Sequence, residues 1–252
     1  LKGSSATHTL TNTSNDITTL AGNTQVVNYI DSNGFSIGTV NTIGLSTNGN
    51  TSLTAGSNAS VTQTAAIQAA GLELKGTTAS YTLTNSSNDI ATLAGNVKTL
   101  SYTDATGFTV GTVNTQGLTT SGITTLEAGA NGSNTSVTQS KIITANALEL
   151  KGSQASYTLN GSGAAGNVVS TLAANAKAVA FTNASALSIG TVNTTSGVTT
   201  NAGGTLVMNG AVVKTTGAQS YGEAVTLGAN TELTASGVTF DGAVSGAGGY
   251  SL

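Results

Sequence analysis

Apolar and polar residues alternate over short runs along the whole chain. Tyr81-Thr-Leu83 and Phe108-Thr-Val110 show this period-two pattern, which is typical of β-strands with one buried face. Clusters of Gly, Asn, Ser and Asp separate the runs and favour turns. β-Branched residues dominate, and no window keeps the apolar stripe of a helix. The pattern therefore predicts an all-β chain of short strands joined by tight corners.

The chain also contains a long internal repeat. The tripeptide LKG begins at Leu1, Leu74 and Leu150. The segment THTLTNTSNDITTLAGN at 7–23 returns as SYTLTNSSNDIATLAGN at 80–96. The third copy diverges, because its sequence LNGSGAAG predicts a longer, glycine-rich loop. We interpret the chain as one segment, 1–252, of a longer protein, and we divide it into long repeats 1–73, 74–149 and 150–214 and shorter coils 215–252.

Each long repeat subdivides into shorter units. Apolar-polar-apolar triplets recur about every 25 residues, as LEL (72–74), LSY (100–102), LEA (126–128) and LEL (148–150). Short strands repeated at such a spacing predict a parallel β-helix, or β-solenoid, in which successive coils stack. At this spacing we expect about ten coils in the chain and about three in each long repeat.

One heptapeptide is written three times, as FSIGTVN (35–41), FTVGTVN (108–114) and LSIGTVN (187–193). Phe108 and Val110 share one face of a strand, and Thr109 takes the other. The next apolar residue is Val113, so we predict a bend at Gly111 that returns Val113 to the interior. The heptapeptide is thus predicted to form a strand, a corner and a second strand. Its asparagine is expected to satisfy backbone groups at the corner.

Composition narrows the possible functions. The 252 residues carry a net charge of −3, and only 7% of them are charged. Seven Lys and no Arg argue against a nucleic-acid partner, because phosphate binding depends on clustered basic residues. The absence of Cys excludes a disulfide scaffold and a thiolate metal site.

Histidine and aspartate supply few candidates for chemistry. His8 is the one histidine, and the equivalent positions in the other repeats are Tyr81 and Tyr157, which indicates a structural position. Single acids occupy the turns, and a Ca²⁺ site would need six to eight oxygen ligands. We therefore predict turn capping, with no metal and no cofactor, for Asp16, Asp31, Asp89 and Asp104, with Asn183 in the place of Asp104 in the third repeat.

Two glutamates, Glu73 and Glu149, lie next to Lys75 and Lys151 beside the LEL leucines. We expect both to face outward in exposed ion pairs, each worth about 0–1 kcal/mol. Glycoside chemistry needs two acids about 5–10 Å apart, and the sequence specifies no partner for Glu73. An ice-binding array would need outward Thr pairs on every coil, and Thr82-Leu-Thr84 has no counterpart in the next unit. No catalytic residue is therefore predicted.

The closing stretch TTGAQSYGEAVTLGANTELTASGVTFDGAVSGAGGYSL (215–252) resembles the recurring pattern of filamentous-haemagglutinin-like exoproteins. The units LTNSSNDIATLAGN and YTDATGFTVGTVN look like longer repeats of the same class. These proteins are surface adhesins that Gram-negative bacteria export by two-partner secretion. The resemblance implies a right-handed β-helix, an extracellular or cell-surface location and an outer-membrane secretion partner for the parent protein.

Three functions follow as expectations. The first is a structural and adhesive shaft module of a secreted surface fibre, without catalysis, whose partners are surface glycans or proteins. The second is a self-assembling filament or surface-layer-like matrix, in which copies of the chain contact one another. The third is a carbohydrate-active β-helix enzyme, since this fold also carries such enzymes. Binding of the segment to cells or glycans favours the first, and self-assembly without such binding favours the second.

Overall fold

The structure is a computed structural model that describes residues 1–161, 166–194, 197–202, 205–208, 212–246 and 248–252. Most of the glycine-rich loop predicted in the third repeat lies outside these residues. Within them the chain is all-β, without helix, and its parallel strands stack about 21 residues apart in a β-solenoid of about 11 turns. The sequence-based prediction of the fold is confirmed.

The described strands belong to one connected parallel sheet system that winds around the coils. They are β1 Lys2–Leu10, β2 Thr19–Leu20, β3 Gly22–Asp31, β4 Ser36–Ile37, β5 Leu45–Thr47, β6 Asn50–Ala55, β7 Ser60–Gln63, β8 Ile67–Leu83, β9 Asp89–Thr103, β10 Thr109–Val110, β11 Leu118–Thr120, β12 Ile123–Glu127, β13 Thr135–Gln139, β14 Ile143–Leu159, β15 Val168–Asn183, β16 Leu187–Thr194, β17 Val198–Ala202, β18 Leu206–Met208, β19 Val212–Thr215, β20 Gln219–Tyr221, β21 Val225–Leu227, β22 Glu232–Thr234, β23 Val238–Phe240 and β24 Val244–Ser245.

The coil is shorter than the triplet spacing indicates. The later triplets do stack, because Leu126 pairs with Tyr102 on one side and with Leu150 on the other. The triplet at 72–74 belongs to another column, in which Leu74 pairs with Gly95. The spacing of about 25 residues came from triplets that lie in two different columns of the stack. Strands of successive coils are in fact about 21 residues apart.

The long repeat does not close on a whole number of coils. Lys2 stacks on Asn23, then Ser46, then Gln68, so three coils lead from Lys2 to Gln68. The repeat-equivalent of Lys2 is Lys75, seven residues further along the chain. In the second repeat three coils lead from Lys75 to Thr144, and Lys151 again lies seven residues beyond. Each long repeat therefore spans three coils and about a third of the next.

The interior is a stack of apolar side chains that the alternation places on one face of every strand. Leu72, Leu74, Leu126 and Val110 have no exposed surface. Burial of each such side chain contributes about 1.5–3 kcal/mol. Aromatic pairs also pack in the interior, as where Tyr102 meets Phe108 edge to face with ring centroids 5.5 Å apart. The core is therefore continuous along the rod.

The glycine of the LKG tripeptide has a specific backbone role. Gly76 has a φ of +123°, and a Cβ at this position would lie 2.5 Å from the Ala55 carbonyl oxygen. The pairing register of β8 with β9 shifts immediately after it, between Gly76 and Ser80. The third glycine of this kind, Gly152, has a φ of +118° and also precedes a register shift. The repeat preserves this glycine because the strand bulges there.

The repeated heptapeptide adopts two structures. In the first and second copies the chain leaves the sheet after Ile37 or Val110 and forms a small antiparallel loop, closed by the pairs Thr39–Ile43 and Thr112–Gln116. In the third copy the same letters form one continuous strand, β16, with Ile189 paired to Leu172 and Val192 to Ala174. In the third copy the predicted bend is present only as a register shift within this strand, between the partners Leu172 and Ala174, and the prediction of strand, corner and strand is wrong for the other two copies.

Loop length separates the two structures. In the second copy five residues lie between Gly111 and Gly117, and the Gly117 amide donates to the Gly111 carbonyl at 2.7 Å to close the loop. The third copy has six residues between its two glycines, Gly190 and Gly197. In this copy residues 187–194 pair with the sheet instead. In the second copy Val113 belongs to the closed loop and lies outside the core, above Gly71. A Cβ added to Gly71 would be 3.0 Å from the Val113 Cγ2.

Candidate functional site

The histidine and the tyrosines that replace it occupy a structural position. The Tyr81 hydroxyl lies inside the coil, 2.7 Å from the Lys75 carbonyl oxygen and 3.1 Å from the Leu53 carbonyl oxygen, and its one proton is shared between them. The Tyr157 hydroxyl repeats this with Lys151 at 2.6 Å. The His8 Nε2 lies 3.2 Å from the Lys2 carbonyl oxygen, which is the equivalent contact. His8 has no acidic or nucleophilic partner in these contacts.

The buried aspartates cap turns, as the sequence predicts. The Asp104 carboxylate accepts from the Thr106 amide at 3.0 Å, the Ile90 amide at 3.2 Å and the Tyr102 hydroxyl at 2.7 Å. Burial raises the pKa of Asp104, although these hydrogen bonds oppose the rise. In the third repeat the Asn183 side-chain oxygen takes the same role, accepting from the Val169 amide at 2.9 Å. An uncharged amide is therefore sufficient at this turn.

The asparagines of the SND turns hold neighbouring coils together, which the sequence analysis missed. The Asn88 side chain donates to the Leu83 and Thr103 carbonyls at 3.1 and 2.9 Å, and its oxygen accepts from the Ile67 amide at 2.8 Å. Gln63 bonds the same amide group from the preceding coil. Asn167 repeats the arrangement with its own glutamine, Gln139. The recurrence of SVTQ in two repeats was the signal for it.

Glu73 pairs with Lys75 as the sequence predicts, but it is buried, so the predicted exposure of this pair is wrong. Its side chain has 0% exposure, and Lys75 lies 3.2 Å away. Oε2 accepts hydrogen bonds from the Ser52 hydroxyl at 2.6 Å and the Asn114 amide at 2.9 Å. Oε1 accepts from the Thr115 backbone N–H at 2.6 Å and from its hydroxyl at 2.7 Å. The loop 111–117 thus covers a carboxylate that lies 41 residues earlier than Asn114.

These donors keep the carboxylate ionised. Burial of Glu73 raises its pKa, but the hydrogen bonds from Ser52, Thr115 and Asn114 outweigh burial and lower the pKa to about 2. Asn114, which the sequence analysis assigned to corner backbone groups, serves this carboxylate instead. With this pKa, Glu73 has no proton to give near neutral pH. Both of its oxygens already accept hydrogen bonds, so neither is directed at a substrate.

The equivalent glutamate, Glu149, has different surroundings. It is exposed, and the hydrogen bond described for its carboxylate comes from the Thr125 hydroxyl at 2.9 Å. Lys151, which the sequence analysis paired with Glu149, lies 3.9 Å from Glu127 on the neighbouring coil instead. The heptapeptide of the third copy, residues 187–193, lies in strand β16, so these residues do not form a loop over Glu149.

A glycine marks the covered glutamate. A Cβ on Gly71 would lie 2.6 Å from the Asn50 Oδ1 and 3.0 Å from the Val113 Cγ2 of the covering loop. The residue at the equivalent position beside the uncovered Glu149 is Ala147. The change from glycine to alanine, together with the loop length, was the sequence signal that could have distinguished the two glutamates.

The loop 111–117 also forms one wall of a recess on the outer face of the first coils. The recess has a volume of about 440 Å³. Its polar lining comes from neighbouring coils, since Thr9 pairs with Asn28 and Asn28 with Ser52. Its remaining polar groups are those of Asn50 and Asn114. Among the described residues, no group of three or more His, Asp or Glu side chains could hold a metal ion.

The comparisons with known proteins return no relatives. No protein-family model, no curated protein and no solved structure matches the chain. In the described part of the chain there is no helix long and apolar enough to cross a membrane. The features that bear on function are therefore the coils themselves and the resemblance of residues 215–252.

Proposed function

We propose that the protein is a structural and adhesive shaft module of a secreted bacterial surface fibre. The observation that carries this proposal is the use of the repeated polar residues. Asn88 and Asn167, Tyr81 and Tyr157 each bond neighbouring strands or coils in the same way. Side chains written repeatedly into the sequence thus stabilise the stack, which is what a rod of repeated coils requires.

The location and the partners come from the resemblance of the closing stretch. The pattern GAQSYGEAVTLGANTEL in residues 217–233 resembles that of exported surface adhesins. On this basis the parent protein is exported through an outer-membrane secretion partner and contacts glycans or proteins of other cells. Antibodies against the segment should label intact source cells. Labelling only after lysis would contradict the surface location.

Self-association into a filament or matrix is the second candidate. It is supported by the loop of the first repeat, where Val40 is 61% exposed and Ile43 is 78% exposed. Contacts between copies would bury these side chains. Light scattering of the native chain and of a Val40→Ser, Ile43→Ser variant tests this candidate, which predicts larger particles that the variant loses.

Catalysis on carbohydrate is the third candidate, and Glu73 gives it little support. A general acid must be protonated near the working pH, whereas the pKa of Glu73 is lowered to about 2. Its carboxylate is also closed off by the loop 111–117. We therefore do not propose that Glu73 is a catalytic residue.

Deletion of one long repeat tests the rod. Removal of residues 74–149 joins Glu73 to Leu150 and restores the sequence LELKG. Because solenoid coils contact mainly their neighbours, the product should fold. It should be shorter by three coils and about a third, or roughly 16 Å at about 4.8 Å per coil, as measured by small-angle X-ray scattering.

The control deletion removes residues 74–136 and joins positions that are not repeat-equivalent. It should lose the cooperative unfolding transition that the first deletion keeps. Unfolding of both products would contradict the modular rod. An intact first product of unchanged length would contradict it as well.

A further inference from the structure

The recess beside Glu73 gathers polar groups that the fold does not use. The side-chain amides of Asn28 and Asn50 and the hydroxyl of Thr9 have no hydrogen-bond partner among the described residues, and all three line the recess. The side-chain oxygen of Asn114 is also unbonded there, because its nitrogen alone bonds Glu73. This contrasts with Asn88 and Asn167, whose side-chain amides bond the backbone.

The recess carries no free charge. Glu73 is the ionised group beneath it, and its oxygens are occupied by Ser52, Asn114 and Thr115, with Lys75 at 3.2 Å. A charged ligand would gain no counter-ion here and would lose hydration. The half-buried Val26 adds an apolar patch to the same wall. The recess therefore combines neutral amides, hydroxyls and a small apolar surface.

From these groups we propose that the recess binds a neutral saccharide. An asparagine amide offers a donor and an acceptor side by side, which suits adjacent sugar hydroxyls that each donate or accept. The C–H face of a sugar ring can pack on Val26. The volume of about 440 Å³ lies within the range of small-molecule sites, roughly 300–1,000 Å³. This inference rests on the proposed function, because binding of a saccharide in the recess would be the adhesive contact of the shaft module.

A peptide fits the recess less well than a sugar. Addition of a peptide strand needs an unpaired sheet edge. The strand at Asn28 is already paired on both sides, with Thr9 and with Ser52. The recess also lacks a deep apolar pocket for a peptide side chain, since Val27 lies beneath the surface with no exposure. The test described below includes a peptide probe, so that peptide binding would be detected.

The second repeat provides a natural comparison. Strand pairing places Ser101 at the position equivalent to Asn28 and Ile123 at the position equivalent to Asn50. Both amides are therefore lost, and the heptapeptide that forms the second wall in the first recess is a strand in the third copy, residues 187–193. The two amides therefore distinguish the recess from the repeat-equivalent surface, which keeps hydroxyls at Thr82 and Thr125 but has no asparagine at these positions.

The test follows the side-chain amide signals of Asn28 and Asn50 by ¹⁵N nuclear magnetic resonance of the full chain. The probes are the neutral trisaccharides chitotriose, mannotriose, cellotriose and maltotriose, each at millimolar concentration, with sialyllactose as a charged saccharide and an extended Thr-Asn-rich peptide as a peptide probe. At least one neutral trisaccharide should shift both amide signals in a saturable way. The charged saccharide and the peptide should not.

The decisive variant is Asn28→Ser with Asn50→Ile, which installs the residues of the second repeat. It should fold, because both residues occur at equivalent positions of the same chain. It should weaken saccharide binding at least tenfold, followed through the backbone amide of Asn114. The matched control, Ser101→Asn with Ile123→Asn, should leave binding unchanged and create no second site.

Three outcomes would overturn the proposal: no shift with any neutral trisaccharide, stronger binding of the peptide or the charged saccharide, or full binding by the double variant. The rod proposal is tested separately by the deletion of residues 74–149. That deletion removes Asn114 and the loop 111–117, so saccharide binding is measured on the full chain and the deletion product is used only to measure the length of the rod. Failure of one proposal is therefore distinguishable from failure of the other.

Discussion

Replacement of Glu73 by glutamine should release the loop 111–117 while the coils beneath it stay folded. Glutamine keeps the shape of the side chain but removes the charge that attracts Lys75 at 3.2 Å. It also turns an N–H₂ group toward donors such as the Thr115 amide, 2.6 Å from Oε1. A pKa lowered from 4.5 to about 2 corresponds to about 3 kcal/mol, at about 1.4 kcal/mol per pH unit.

The pH dependence has a defined sign. The pKa of Glu73 is lower in the folded state than its ordinary value, so the stabilisation is fully present above pH 4.5 and is lost as the pH falls toward about 2. The variant has no carboxylate to protonate. The difference in stability between native chain and variant should therefore be largest near neutral pH, and it should shrink between about pH 5 and pH 2.

Hydrogen exchange of the Thr115 backbone amide is the assay, because repeat arrays can open coil by coil and a local probe reports the loop directly. At neutral pH the variant should reduce protection of this amide about 100-fold, the equivalent of about 3 kcal/mol. Amides of the buried strand β9 should change little. The matched control is Glu149→Gln, which should alter protection and stability by less than about 0.5 kcal/mol, since Glu149 is exposed. Equal effects of the two substitutions, or an unchanged Thr115 amide, would refute the reasoning.

Two further predictions concern the interior. Val110→Asp should be severely destabilising, by more than about 4 kcal/mol, because it places an unpaired charge where the side chain has no exposure, whereas Thr109→Asp should cost about 1 kcal/mol or less. Urea unfolding measures both, and similar midpoints would show that the inward and outward faces are wrongly assigned. Tyr81→Phe should cost about 1–3 kcal/mol, because two buried carbonyls lose their donor, while His8→Tyr should leave the melting temperature unchanged or raise it. A destabilised His8→Tyr protein would contradict the equivalence of these positions.

The sequence predicted the architecture because inside and outside are set by local alternation. Phe108 and Val110 lie in the core and Thr109 lies outside, as the period of two requires. Turn residues such as Asp104 cap their own neighbours, so short-range chemistry was sufficient to assign them. The length of a coil was harder, because similar triplets occur on more than one column of the stack.

The environment of Glu73 could not be predicted from the residues near it in the sequence. Its burial depends on Asn114 and Thr115, which lie 41 and 42 residues later in the chain, in a loop closed by the hydrogen bond from the Gly117 amide to the Gly111 carbonyl. The same letters, GTVN, are a loop in the second copy and part of a strand in the third. Periodicity describes a residue by its sequence neighbours, and these outcomes are set by contacts between coils.

The seven residues by which each long repeat exceeds three coils determine the directions in which the rod presents its surface. Equivalent residues of successive repeats, such as Glu73 and Glu149, point in directions about a third of a turn apart. Three such repeats complete the circle after about ten coils, or roughly 48 Å along the axis. A surface feature that occurs once in each repeat would therefore follow a shallow spiral around the rod. Such a fibre would present that feature to partners on every side. A repeat of exactly three coils would instead place all copies in a single row on one face.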